Sequence, residues 1–186
     1  AADDYLEVMQ FVYENADYLA VNISSPNTPG LRELQKGNYV TNLLNQLKLE
    51  SIKLAQEKGV KERPIFVKIA PDFETDGLLE VIDAAISQEI DGIIATNTTR
   101  GRERLPQDAQ NEEGGMSGRP LFEKSLKIVE QTTEFTGGKL PIIGVGGVRT
   151  AQDVNEMLRA GASLVQMYTG MVYEGPGVAG RILRDL

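Results

Sequence analysis

Strand-length apolar runs alternate with helical patterns five times along this chain, and that alternation limits its fold more than any other feature. The runs predict strands near residues 18–24, 64–70, 91–97, 141–146 and 163–168. Between them, apolar residues return at helical spacing: Val40, Leu43, Leu44 and Leu47; Leu78, Leu79, Ile82, Ala85 and Ile86; Leu121, Ser125, Ile128 and Val129. Tyr5, Val8, Met9, Val12 and Ala16 form one more amphipathic helix ahead of the first run. Thr150 and Asp153 have capping-box spacing before Val154, Met157 and Leu158, and Gly161 is the stop signal. Such alternation implies parallel strands joined by right-handed crossovers. An open doubly wound sheet and a (β/α)8 TIM barrel both satisfy it. An open sheet gathers ligand groups at one switch point, whereas a barrel draws them from many strand ends. All five runs end in polar or glycine residues, so the barrel fits better.

Length qualifies that reading. The chain has 186 residues, and a barrel typically needs about 250. The expectation is an α/β chain of about five strand–helix units, strands 4 to 8 of a barrel. Residues 1–186 then form one partial barrel domain without the first three strands or a terminal tail.

The first run shows most clearly what the strand ends present. Leu19, Val21 and Ile23 share one parity, and Ala20, Asn22 and Ser24 the other. Alternate residues face opposite sides of a strand, so one face is aliphatic and the other small and polar. Either the run closes in an Asx or Ser turn, or it presents amide and hydroxyl groups to a ligand before breaking at Pro26. The other strand ends shift the balance to the second reading. Lys68 lies inside the second run, and Thr96, Asn97 and Thr98 end the third. Gly144, Gly146 and Gly147 end the fourth, and Tyr168, Thr169 and Gly170 the fifth.

Glycines allow backbone N–H groups to approach a phosphate, and barrels often bind phosphate between their last two strands. Gly147 with Tyr168 and Thr169 is therefore a candidate phosphate site. Lys68 either reaches solvent from a strand end or supplies a buried cation to a ligand. Two long connections, residues 24–38 and 99–119, are rich in Pro and Gly or in Arg and Gly. They are candidate binding loops, with a solvated insertion as the alternative for the second.

Composition removes several chemistries. There are no cysteines and no histidines, so thiolates, disulfides and imidazole are unavailable. No metal site is expected. A net charge of −8 argues against a nucleic-acid groove. No apolar run approaches the roughly 20 residues of a membrane span.

Six ordered motifs give the chain a family resemblance. They are Asn22–Thr28, Val67–Asp72, Ala95–Thr99, Gly114–Gly118, Ile142–Val148 and Gly161–Thr169. Together they resemble dihydroorotate dehydrogenase, an FMN-containing barrel that oxidises dihydroorotate to orotate in pyrimidine biosynthesis. The likeness runs from about Ala16 to the end of the chain. In the family, class 1 members have Cys at the position of Ser25 and class 2 members have Ser. Ser25 therefore resembles the catalytic base of the quinone-dependent, membrane-associated class 2. The resemblance implies cofactor contacts from Asn22, Lys68, Thr96, Gly118, Gly147, Tyr168 and Thr169. It implies substrate contacts from Asn22, Asn27, Asn97 and Thr98.

It further implies a quinone acceptor and peripheral membrane association through a segment not in this chain. The site would be the inner membrane of a bacterium, or the mitochondrial inner membrane of a eukaryote. Because the family's early strands are not in it, the segment alone is expected to be inactive. Two alternatives stand beside this reading: another FMN-dependent barrel oxidoreductase acting on a dihydropyrimidine, or a non-catalytic phosphate-binding half-barrel.

Overall fold

A computed structural model describes residues 2–27, 37–103 and 105–186. Thr28, Pro29, Gly30 and Arg104, which belong to the first motif and the two long loops, lie outside the described residues. The strands are β1 (Leu19–Asn22), β2 (Ile65–Ile69), β3 (Gly92–Ala95), β4 (Ile142–Val145) and β5 (Leu164–Gln166). They form one sheet in sequence order, and every pairing is parallel. The helices are α1 (Ala2–Val12), α2 (Gly37–Lys58), α3 (Thr75–Ser87), α4 (Phe122–Thr136), α5 (Ala151–Arg159), α6 (Thr169–Glu174) and α7 (Val178–Asp185). Each strand is shorter than expected, so Ser24, Thr96, Asn97 and Tyr168 sit just past the strands that lead to them.

Register separates the two faces of the sheet. Val21, Val67, Ile93 and Ile142 lie in one row and are all buried. The adjacent row of the same parity contains Ile69, Ala95, Gly144 and Val165. This is the helix-covered side, because a Cβ on Gly144 would lie 3.1 Å from the Met157 sulfur and 3.3 Å from the Ala162 methyl. The opposite face carries Asn22, Lys68, Ile94, Ile143 and Leu164 in one row. Leu164 at the β5 edge is 63% exposed. The first strand follows the predicted alternation from Leu19 to Ile23, with Leu19, Val21 and Ile23 buried and Ala20 and Asn22 exposed, but Ser24, past the end of the strand, is fully buried.

Two helices seat differently from their expected stripes. In α1 the inward side holds Met9, continued by Tyr13, while Val8 and Val12 are exposed. The Tyr13 hydroxyl explains this choice. It is fully buried, donates to the Ser51 carbonyl at 2.7 Å and accepts from the Arg63 N–H at 3.2 Å. A buried hydroxyl so satisfied fixes the rotation of the helix that leads into it. In α3 the buried side is Leu78, Val81, Ile82, Ala84 and Ala85, and Ile86 is half exposed.

The helix α5 begins with the predicted capping box between Thr150 and Asp153. Asp153 does more than cap. Its carboxylate accepts from the N–H groups of Arg149 and Thr150, each at 2.9 Å, and from the Arg119 guanidinium at 2.5 Å. Burial pushes its carboxyl pKa up, but the hydrogen bonds from Arg149, Arg119 and Thr150 outweigh that and hold it below the usual value.

Candidate active site

The ends of β2, β3, β4 and β5 converge on one cavity of about 170 Å³, and Asn22 at the end of β1 stands outside its lining. Lys68, Thr96, Asn97, Thr98 and the Gly146–Gly147 turn line one part of it. Gly118, Tyr168 and Thr169 line the rest. Thr169 donates through its hydroxyl to Ser117 at 3.0 Å, tying the loop before α4 to the start of α6. The volume lies below the roughly 300–1,000 Å³ of typical ligand pockets.

The glycines of β4 have a packing role as well. Gly147 has φ +72°, and a Cβ there would lie 2.7 Å from the Phe122 backbone nitrogen. Gly146 is more crowded still, because the Ser125 Oγ would lie 2.2 Å from an added Cβ. The turn is therefore glycine because the first turn of α4 presses against it, and this same contact brings the turn to the cavity wall.

An amide–hydroxyl network joins β1 to β3 beside the cavity. Asn22 Oδ1 accepts from the Ser24 N–H at 3.3 Å, the Ser24 hydroxyl at 3.1 Å and Asn97 Nδ2 at 3.1 Å. Asn97 Nδ2 also donates to Ser24 Oγ at 3.1 Å, and Asn97 Oδ1 accepts from the Thr98 N–H at 2.8 Å. Backbone N–H groups can only donate, so both amide orientations are determined. Asn22 Nδ2 has no hydrogen-bond partner among the described residues. Next to it in register stands Lys68, whose Nζ has no hydrogen-bond or ion-pair partner among the described residues either. Burial alone pushes the Lys68 pKa down. Two unmatched donors thus stand side by side on the open face.

Thr96 is 2% exposed and donates to the Asn97 carbonyl at 2.9 Å. Its single proton is then used, so the Ser125 hydroxyl, 2.8 Å away, donates to it. Ser25 and Asn27 lie outside the cavity lining, on the loop after β1. Ser25 Oγ accepts from the Asn27 N–H at 3.3 Å. That contact favours a developing negative charge on the oxygen. The loop approaches the cavity through Gly115, where an added Cβ would overlap the Thr98 hydroxyl and lie 2.8 Å from Pro26 Cγ.

Ser24 and Ser117 fall inside two of the sequence motifs and Ser125 inside a helical stripe, but the sequence assigned none of them a place in the site. Ser24 was legible as a polar residue of the Asn22 parity, but its contact with Asn97 spans 73 residues. Nothing local marks Ser117 or Ser125 as partners of the site. Among the described residues there is no cluster of acidic side chains able to hold a metal.

The family described as dihydroorotate dehydrogenase matches residues 1–186. The chain belongs to that family. It is 49% identical over 179 residues to dihydroorotate dehydrogenase (quinone) of Teredinibacter turnerae, covering 96% of this chain and 52% of the relative. It is 47% identical over 186 residues to the protein of the same name from Vibrio parahaemolyticus, covering 100% of this chain and 55% of the relative. The crystal structure of DHODH from Eimeria tenella in complex with ferulenol superposes with a TM-score of 0.93 at 40% identity. That match covers 100% of this chain and 53% of the other. The chain thus spans about half the length of the curated relatives it matches.

Proposed function

We propose that this chain forms five units, strands 4 to 8, of an eight-stranded barrel that oxidises dihydroorotate to orotate. FMN would be the cofactor and a quinone the final acceptor. The observation that carries the reading is the pair of unmatched donors, Lys68 Nζ and Asn22 Nδ2. Lys68 lines the cavity together with Thr96, Gly147 and Thr169, and Asn22 adjoins it in register on β1.

The residues present fit FMN. A cation beside an amide donor suits the electron-rich edge of a flavin ring. Gly118, Gly147, Tyr168 and Thr169 provide close backbone approach and a hydroxyl for its phosphate end, and Thr96 adds a polar contact at the wall. FMN supplies the acceptor for a hydride.

The chain's own residues do the rest. Asn22, Asn27, Asn97 and Thr98 offer amide and hydroxyl groups to a ring that alternates N–H and C=O. The hydrogen bonds from Asn97 Nδ2 to Asn22 Oδ1 and from the Thr98 N–H to Asn97 Oδ1 orient these two amides before ligand arrives. Ser25 passes its hydroxyl proton to solvent water and takes the proton from C5 as hydride leaves C6 for the flavin, and the C5=C6 double bond of orotate forms. An alcohol is a poor base, and the Asn27 N–H, which donates to Ser25 Oγ, would stabilise the alkoxide character that Oγ gains as its own proton departs. Lys68 holds positive charge where electrons arrive.

The quinone assignment follows the names of the relatives. Among the described residues no helix is long and apolar enough to cross a membrane. Peripheral association, at the bacterial inner membrane or the mitochondrial inner membrane, would use a segment other than those described. The deciding experiment is anaerobic addition of dihydroorotate to the intact, FMN-loaded protein. Bleaching of flavin absorbance supports the reading. A loaded protein that keeps its spectrum overturns it.

A further inference from the structure

We propose that Asp72 is a positioning residue of this site, whose carboxylate sets the floor on which Asn97, Thr98 and the Ser25 loop meet. The inference rests on the dehydrogenase reading above and adds a residue that touches none of the reacting groups. Asp72 lies three residues beyond the end of β2. One carboxylate oxygen accepts from the Thr99 hydroxyl and from Lys124 Nζ at 2.8 Å. The other accepts from the Arg100 N–H at 3.0 Å.

Thr99 is the hinge of the arrangement. It is 1% exposed, and its hydroxyl also accepts from the Gly101 N–H at 3.0 Å and from Lys124 at 3.1 Å. Its proton and both lone pairs are thus used. Its backbone exchanges two hydrogen bonds with Met116, at 3.1 and 2.8 Å, in an antiparallel bridge. Thr99 therefore stands at the base of the lobe that leaves at Arg100 and returns at Gly115. Gly115 rests on the Thr98 hydroxyl and on the Pro26 ring. From the same lobe the Arg100 guanidinium donates to the Pro26 carbonyl at 3.3 Å. Pro26 adjoins Ser25. A single carboxylate thereby connects the ends of β2 and β3, the start of α4 and the loop that carries the proposed base.

The Lys124 contact by itself is a half-exposed ion pair, and such pairs contribute little. The Thr99 and Arg100 contacts are different, because an asparagine offers one acceptor oxygen where the carboxylate offers two. In Asp72→Asn, an amide NH2 must face either the Thr99 hydroxyl or the Arg100 N–H. The hinge then loosens while the sheet stays as it is.

The test uses the intact FMN-loaded protein with Asp72→Asn, Thr99→Val and Thr99→Ser. With Asp72→Asn and Thr99→Val, kcat/KM for dihydroorotate should fall about 10- to 100-fold, the range for a lost charge-assisted hydrogen bond. KM should rise and FMN affinity should stay near the parent, while the melting temperature falls by only a few degrees. Thr99→Ser, which keeps the hydroxyl, should restore most of the activity. The double variant Asp72→Asn/Thr99→Val should be no worse than the poorer single one, because both act through one contact.

Trypsin cleavage after Arg100 and Arg102, with no substrate present, reads the same hinge directly. It should speed up about tenfold in Asp72→Asn, following the population of the open lobe. An Asp72→Asn protein within twofold of the parent in both kcat/KM and cleavage overturns the proposal. So does a loss of activity that merely tracks loss of FMN. If the parent itself fails to respond to dihydroorotate, the functional reading falls, and the cleavage rate alone decides the role of Asp72.

Discussion

The two faces of the sheet answer to different demands. On the helix side, Val21, Val67, Ile93 and Ile142 form a row that is buried at every position. On the inner side, the neighbouring row runs Asn22, Lys68, Ile94, Ile143, Leu164. It begins with two polar groups whose Nδ2 and Nζ donors have no partner among the described residues, and it ends in an exposed leucine. The helix side obeys close packing, where each methyl group contributes to stability. The inner side accepts a desolvated ammonium, which costs stability. Stability and chemistry are thus separated by one-residue parity along the same short strands.

The largest effect that would test this division lies at the inner side's mouth. Ser25→Ala in the intact protein should slow flavin bleaching by dihydroorotate about 10²- to 10⁴-fold, the usual contribution of a general base. FMN should remain bound, because Ser25 lies outside the cavity lining. Stopped-flow absorbance measures it, and a variant within a few-fold of the parent would remove Ser25 from the mechanism.

Next in size is the helix side. Ile93→Ala removes a fully buried side chain and should cost about 2–5 kcal/mol. Urea unfolding gives this figure, and activity below the transition should survive. If Ile93→Ala instead spared stability and destroyed turnover, the assignment of the two faces would be reversed.

A smaller effect concerns the capping carboxylate beneath the β4 turn. Asp153→Asn should lose about 0.5–2 kcal/mol at neutral pH, as for other helix caps. The folded pKa of Asp153 is depressed, so its stabilisation is present above the ordinary carboxylate value and is lost as pH falls through the folded one. Parent and variant melting temperatures should therefore converge in acid. Parallel curves down to low pH would show that the carboxylate charge is irrelevant.

The smallest effect has the opposite sign. Lys68→Met should raise the melting temperature of the cofactor-free protein at neutral pH while weakening FMN binding. The folded pKa of Lys68 lies below the ordinary 10.5. Below the folded value both states are protonated and the burial penalty is complete. Between the folded and unfolded values the native state holds fewer protons, so parent stability rises with pH and the gap to the variant closes. Calorimetry of the cofactor-free protein from neutral to alkaline pH checks this. A variant less stable than the parent at neutral pH would mean that Lys68 packs rather than waits.

Much of this was written in the local pattern. Parallel strand order, the two-sided character of β1 and the capping box of α5 all follow from periods of two and 3.6 residues and from short-range hydrogen bonds. The gathering of Lys68, Thr96, Gly147 and Thr169 around one cavity follows too, because parallel strands place all their carboxyl ends on one side. The periods could not rank competing stripes. Val8 and Val12 had the spacing of a buried face, yet Tyr13, anchored to Ser51, turned α1 so that they point outward.

Relations between distant parts belong to the tertiary structure. Asn97 meets Ser24 across 73 residues, and Asp72 meets Thr99 and Lys124 across 27 and 52. Sequence spacing says nothing about such contacts, since they depend on strand register and on how each loop settles against its neighbours. The glycines make the same point. Gly147 reads in sequence as room for a phosphate, and in the fold it is also the space that the Phe122 backbone needs. Periodicity determined which side of each strand could do chemistry, because side-chain direction is a local property of the backbone. Packing decided which groups there remain unmatched, because a hydrogen bond is satisfied or left open only by what the rest of the chain brings near it.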